Sequence, residues 1–128
     1  MATRARIGIR NEDGTIRSIY SHWDGYIDGV GATLKEHYTS AEKINQLIDL
    51  GDISSLDKFC DKPEGHTFDN PKDGYTVAYG RDRGETQVAF RVHPNEANFH
   101  QYAEEYNYLF ENGKWVVSKW DNKNFEEF

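Results

Sequence analysis

An α+β domain, its antiparallel sheet built from hairpins with two to three short helices packed on one face, is the fold class the sequence predicts. Three observations predict it. Alternating apolar runs stand at both ends of the chain, each folded about a Gly-containing turn, the period-2 mark of half-buried strands. Between them, apolar residues recur at three- and four-residue spacing, the mark of short amphipathic helices. Trp, Tyr and Phe make up 14% of the 128 residues, and rings that bury about 150–250 Å² each can build a core without disulfide staples.

The elements follow in order. Ile7 and Ile9 alternate with Arg6, Gly8 and Arg10, and Thr15 to Tyr20 is a second β-branched run. The turn cluster Asn11-Glu12-Asp13-Gly14 joins them into a hairpin. Ser21 to Gly31 has no period and reads as a loop, after which Val30, Leu34 and Tyr38 mark a short helix. Thr39, three residues before Glu42, predicts a capping box opening a second helix through Ile44, Leu47 and Ile48, with Gly51 as its stop. Asp52 to Phe59 reads as a further helical turn, and 60–74 as a long surface loop. Strands are predicted over Tyr75–Tyr79 and Thr86–Val92, joined by Gly80 to Glu85. Asn95 caps a helix running to Glu104, with Phe99, Tyr102 and Ala103 inward. The final hairpin, Tyr106–Phe110 and Trp115–Trp120, turns at Asn112-Gly113, the strongest short hairpin signal. No repeat or linker interrupts the chain, so residues 1–128 read as a single domain.

Composition narrows the setting. Cys60 is the sole cysteine, which rules out an intrachain disulfide and suits a reducing cytoplasm. The beginning, with Arg4 and Arg6, lacks the apolar stretch of a signal peptide, and no window is long and apolar enough to span a membrane. The net charge of −7 argues against a broad basic face for duplex nucleic acid. Arg4, Arg6, Arg10 and Arg17 gather at the start, whereas Glu104, Glu105, Glu111, Asp121, Glu126 and Glu127 weight the end. Such asymmetry steers an anion or pairs subunits head to tail, or is simply a mixed solvated face.

Chemistry-bearing residues concentrate in Tyr20-Ser21-His22-Trp23-Asp24-Gly25-Tyr26. Trp23 and Tyr26 offer faces on which bases or sugars stack, with Tyr20, His22 and Asp24 beside them; the alternative is that the rings pin the loop to the core. Gly29 and Gly31, opening a helix, offer backbone N–H groups to an anion, or permit close packing. Arg81 and Arg83 form a fork for phosphate or carboxylate, unless Asp82 between them neutralises the pair. His22 and Asp24, with His66, Asp69 and Asp73 in the long loop, lack a recognisable metal-ligand spacing. Cys60, between Lys58 and Lys62, does not read as a nucleophile. No catalytic residue, cofactor or metal ligand is assigned.

The strings Ser18-Ile19-Tyr20 before His22-Trp23-Asp24-Gly25-Tyr26, Leu50-Gly51-Asp52-Ile53-Ser54-Ser55-Leu56 and Tyr79-Gly80-Arg81-Asp82-Arg83-Gly84-Glu85 give the chain a resemblance over most of its length. It resembles a family of small uncharacterised proteins encoded by tailed bacteriophages. One departure is Ile27, where that family often carries Pro, which leaves this loop less rigid. The resemblance implies a phage product acting in the host bacterial cytoplasm, where small accessory proteins frequently blunt host defence. It implies no catalytic residues.

The leading expectation is therefore a non-enzymatic binding protein that sequesters a small anionic nucleotide-like ligand or immune signal. Trp23 and Tyr26 stack, Arg81 and Arg83 hold phosphate, and His22 or Asp24 selects base or sugar. One alternative is an acidic interaction module that inhibits a host enzyme or imitates nucleic acid, and another is a small hydrolase using His22 and Asp24. A homo-oligomer is also expected. Tyr106, Tyr108 and Phe110, with Trp115 and Trp120, put large rings on both faces of the last hairpin, and helices on one face leave the other open. The countervailing outcome is that Phe125 and Phe128 fold back over it.

Overall fold

A centrally placed first strand organises the sheet. The computed structural model describes residues 2–121 and 123–128. In it β1 (Ala5–Arg10) pairs antiparallel with β2 (Ile16–Ser21), from Ala5 opposite Ser21 to Arg10 opposite Ile16. The intervening turn closes because Asp13 accepts from both the amide (3.0 Å) and the hydroxyl (2.6 Å) of Thr15. The other edge of β1 is taken by β6 (Tyr106–Glu111), and this pairing is parallel. β6 then turns back into β7 (Lys114–Lys119) through Asn112 and Gly113, both left-handed at φ 53° and 77°, as a two-residue hairpin of matching twist requires. The short β8 (Glu126–Glu127) closes that side.

The outer edge of β2 is shared. β3 (Ile53–Ser55) runs parallel to its end, while β5 (Arg91–His93) runs antiparallel to its beginning. β4 (Val77–Ala78) lies outside β3, giving the order β4-β3-β2-β1-β6-β7-β8 with β5 off the path. The α+β class holds, but the sheet is mixed where a purely antiparallel one was expected, since β1–β6 and β2–β3 are parallel.

Successive side chains alternate faces, and the two faces are covered differently. Ala5, Ile7, Ile9, Ile19, Tyr108 and Trp115 meet the main helical layer. That layer is a π-helical turn (Ile27–Gly31) leading into α1 (Ala32–His37), followed by α2 (Ala41–Asp49), which bury Leu34, Ile44, Leu47 and Ile48. The indole of Trp115 donates to the Tyr38 carbonyl at 2.8 Å, so this large ring is buried with its polar atom satisfied. The opposite face has a smaller core of Ile16, Leu109 and Val116 under Phe99 of α4 (Glu96–Gln101), with Phe125 against it. Gly8 permits that approach, because a Cβ there would lie 3.0 Å from the Phe99 ring. Helices thus flank both faces, which corrects the one-faced arrangement.

Local expectations fail where backbone pairing or a polar side chain overrides apolar spacing. The α2 cap is Ser40, accepting from Lys43 N at 3.2 Å, and not Thr39. The Ile53–Leu56–Phe59 spacing suits a helix, yet the chain turns at Gly51 (φ 78°) and Ile53–Ser55 fills the open edge of β2. Tyr75–Tyr79 and Thr86–Val92 form no hairpin. After β4 the chain winds into α3 (Tyr79–Arg83), where the Asp82 carboxylate accepts the Ala78 amide at 2.8 Å, and Gly84 ends the turn at φ 78°.

The last residues bear on assembly. Phe125 lies 5.1 Å from the His100 ring and 6.2 Å from Phe99, and Phe128 lies 5.5 Å from Tyr108. Phe125 and Phe128 thus fold back against the sheet from within the chain, each beside a different core cluster. Trp115 is buried and Trp120, on the other face, is exposed. Among the described residues no helix is long and apolar enough to cross a membrane.

Candidate functional site

The aromatic block after β2 is assembled as a cleft, but of the wrong sign for an anion. Amides of His22 and Trp23 extend the β2–β3 pairing to the carbonyls of Ile53 (3.2 Å) and Ser54 (3.0 Å). Asp24 then takes a left-handed conformation at φ 58°. Gly25 follows because a Cβ there would come within 2.8 Å of the Thr3 carbonyl. The turn leaves Trp23 and Tyr26 exposed over a cleft of about 230 Å³ that also includes Asp24, Asp28, Gly29 and Asp57. Its charged groups are carboxylates throughout.

The remaining predicted residues have other work. The Tyr20 hydroxyl holds His22 Nδ1 at 2.6 Å, and burial pushes that phenol's pKa up. Asp24 accepts from the Tyr26 hydroxyl at 3.3 Å, whereas His22 is bonded to Tyr20. The Gly29 and Gly31 amides both point to the Tyr26 carbonyl, at 2.9 and 3.4 Å. A Cβ on Gly31 would press on Phe128 and Tyr108 at 3.2 Å, which is the close-packing role. Arg81 is consumed by Asp82 (2.8 Å), the Thr76 carbonyl (3.0 Å) and the Cys60 carbonyl. Arg83 lies 4.7 Å over Phe68. Neither arginine lines the Trp23–Tyr26 cleft.

Another cleft, of about 370 Å³, opens between β5, α4 and the segment before β5. Asp52, Phe90, Arg91, His93, Asn98 and Tyr102 are among its lining residues. Beneath it runs a buried hydrogen-bonded chain. Arg6 donates from Nε to the Tyr102 carbonyl at 2.7 Å and from Nη1 to Ser18 Oγ at 3.1 Å. Ser18 Oγ meets His93 Nε2 at 2.7 Å, and His93 Nδ1 meets Asn98 Oδ1 at 2.8 Å. Asn98 Oδ1 only accepts, so His93 Nδ1 carries the imidazole hydrogen, and in the neutral ring Nε2 then accepts the Ser18 hydrogen. One neutral tautomer satisfies every partner. Burial, with Arg6 and Arg91 nearby, accordingly pushes the His93 pKa down.

Charge in this cleft is mixed. Burial pushes Asp52 up from the usual carboxylate range, opposed by the Tyr20 amide (2.9 Å) and by Arg6 and Arg91. Burial lowers the Arg6 guanidinium, opposed by Asp52 and Glu104. Arg91 sits on the exposed rim, 4.6 Å over the Tyr102 ring, and has no carboxylate within salt-bridge distance among the described residues.

Ser18, His93 and Asn98 have the connectivity of a nucleophile, base and orienting group. Ser18 is fully buried, however, and Arg6 donates into its oxygen. The chain is therefore a rigid floor and supplies no accessible nucleophile. Sequence reading missed this cleft because its parts come from five separated segments. The one local hint is Arg6, a charged residue inside an apolar alternation, facing Ser18 and not water. Among the described residues, no three His, Cys, Asp or Glu side chains converge on a metal position. No protein-family model, curated protein or solved structure matches the chain, so the geometry carries the functional reading by itself.

Proposed function

We propose that the protein is a non-enzymatic binding protein for a small anionic, nucleotide-like ligand, held in the cleft over the Arg6–Ser18–His93–Asn98 chain. The observation that carries this reading is Arg91, stacked on Tyr102 with no carboxylate within salt-bridge distance among the described residues, above a floor whose donors and acceptors are already fixed. A guanidinium so placed offers a two-pronged contact to phosphate. Phe90 lines the cleft as an aromatic surface beside the Arg91–Tyr102 stack, while Asp52 and Asn98 supply an acceptor and a donor for selection. A cleft of about 370 Å³ lies at the small end of ligand sites, at mononucleotide size. The Trp23–Tyr26 cleft, lined by three aspartates, suits such a ligand less well. In the phage setting that the resemblance implies, the ligand is a host signal and sequestration is the function.

Thermal melting with a panel of linear and cyclic nucleotides tests the reading. A ligand at 100 times its Kd adds about 2.7 kcal/mol, a shift of several degrees in a domain of this size. The shift is expected to disappear in Arg91→Ala. A panel without effect, or one acting equally on the variant, would overturn the proposal.

A further inference from the structure

We infer that the Trp23–Tyr26 cleft is a docking site for an arginine side chain presented by a partner polypeptide. Two large rings stand out of the surface there, with Trp23 44% and Tyr26 42% exposed, and Trp and Tyr suit places where one end is apolar and the other wet. The cleft between them is lined by Asp24, Asp28 and Asp57 and by no Lys or Arg. Asp24 and Asp28 together push the Tyr26 hydroxyl pKa up, so negative potential is concentrated beside that ring. Charge complementarity thus selects a cation, and the rings narrow the choice. A planar guanidinium lies flat on an indole or phenol face while its edge N–H groups reach carboxylates; a lysine ammonium is a point charge that makes less use of the face.

Size and mounting support a side chain as the occupant. At about 230 Å³, the space is smaller than most sites that enclose a whole small ligand. Aromatic residues paired with arginine are also the usual anchors of protein interfaces. The site is held in shape from below: the Val30 amide donates to the Asp24 carbonyl at 2.8 Å, and any Cβ at Gly29 would lie 2.3 Å from the same oxygen. The Trp23 ring is braced edge-on by His22 at 4.8 Å. This inference is independent of ligand binding in the Arg91 cleft.

The test is a titration of the protein with the capped tripeptide Gly-Arg-Gly, followed by NMR, beside the matching citrulline and lysine peptides. Citrulline keeps the shape of arginine and removes its charge. Shifts at the Trp23 indole and the Tyr26 amide are expected with the arginine peptide and to be several-fold smaller with the other two. They should shrink in Asp28→Asn/Asp57→Asn and, in the unaltered protein, in about 0.5 M salt, where charges separated through water are screened. The salt arm keeps the test decisive if the double variant does not fold. Equal shifts with citrulline, larger shifts with lysine, or arginine shifts that spare both rings would each overturn the inference.

Discussion

The two clefts are built on opposite plans. The Trp23–Tyr26 cleft comes chiefly from one short stretch of chain, is lined by carboxylates, and leaves its large rings exposed. The Arg91 cleft draws on β1, β2, β5, α4 and Asp52, and its working groups rest on a buried polar chain. Tyr20 lies between them in the hydrogen-bond network, its hydroxyl on His22 next to Trp23 and its amide on Asp52. A site contributed by one segment can be noticed as a motif, whereas a site assembled across a sheet becomes visible only once register is known. Motif density therefore points to a surface cleft, and topology to the cleft proposed here as the ligand site.

The sharpest way to break this contrast is to remove the floor of the assembled cleft. Arg6 is 5% exposed and bonds both the Tyr102 carbonyl and Ser18. Arg6→Ala leaves those acceptors unpaired, frees the carboxylates that faced the guanidinium, and opens a cavity. Leaving a buried acceptor unpaired typically costs about 1–3 kcal/mol. Urea unfolding should show a loss toward that range. A change within about 0.5 kcal/mol, as for an ordinary surface position, would mean that the chain beneath the cleft is not holding it.

The motif-built cleft should respond to backbone crowding. Gly29→Ala places a methyl group 2.3 Å from the Asp24 carbonyl oxygen, a backbone atom that has no side-chain freedom with which to move away. Overpacking of this kind costs about 1–3 kcal/mol. The loss should appear in urea unfolding together with altered Trp23 fluorescence, while nucleotide-induced stabilisation at the Arg91 cleft survives. Loss of that stabilisation would show that the two clefts are one coupled unit.

How much of this was legible follows from where each feature gets its energy. The terminal hairpins could be read because turn chemistry and strand alternation are local, as at Asn112-Gly113 and at Ile7 and Ile9. The Asn95 and Gly51 boundaries were legible for the same reason. What escaped reading depends on distant partners: β3 exists because the end of β2 has an open edge, and α3 winds because Asp82 captures the Ala78 amide, Arg81 and His66. The same limit applies to the sites. The Trp23 block was visible, but that Arg81 is engaged by Asp82 and Thr76, and that Arg6, Ser18 and His93 converge, follows only from how the strands are paired.

The smallest effect expected concerns protonation of the assembled floor. Burial pushes the His93 pKa below the ordinary imidazole value of 6.5. Below that value the unfolded chain takes up a proton that the folded protein refuses, so stability is fully present above about pH 6.5 and declines as pH falls toward the folded pKa. His100, whose pKa is also lowered by burial, adds a decline of the same sign. Asp52 acts oppositely and at lower pH: its raised pKa means that the folded state binds a proton first, so stability rises as pH falls through that value toward 3.8. Replacing His93 by Gln lowers stability at neutral pH, because the Ser18 and Asn98 bonds are rebuilt poorly. It also removes one of the two titrations. Urea midpoints measured between pH 7.5 and 5.5 should therefore fall less steeply in His93→Gln than in the unaltered protein, with the residual slope belonging to His100. Parallel slopes would mean that His93 titrates alike in the folded and unfolded chains, and the single fixed tautomer under the Arg91 cleft would have to be given up.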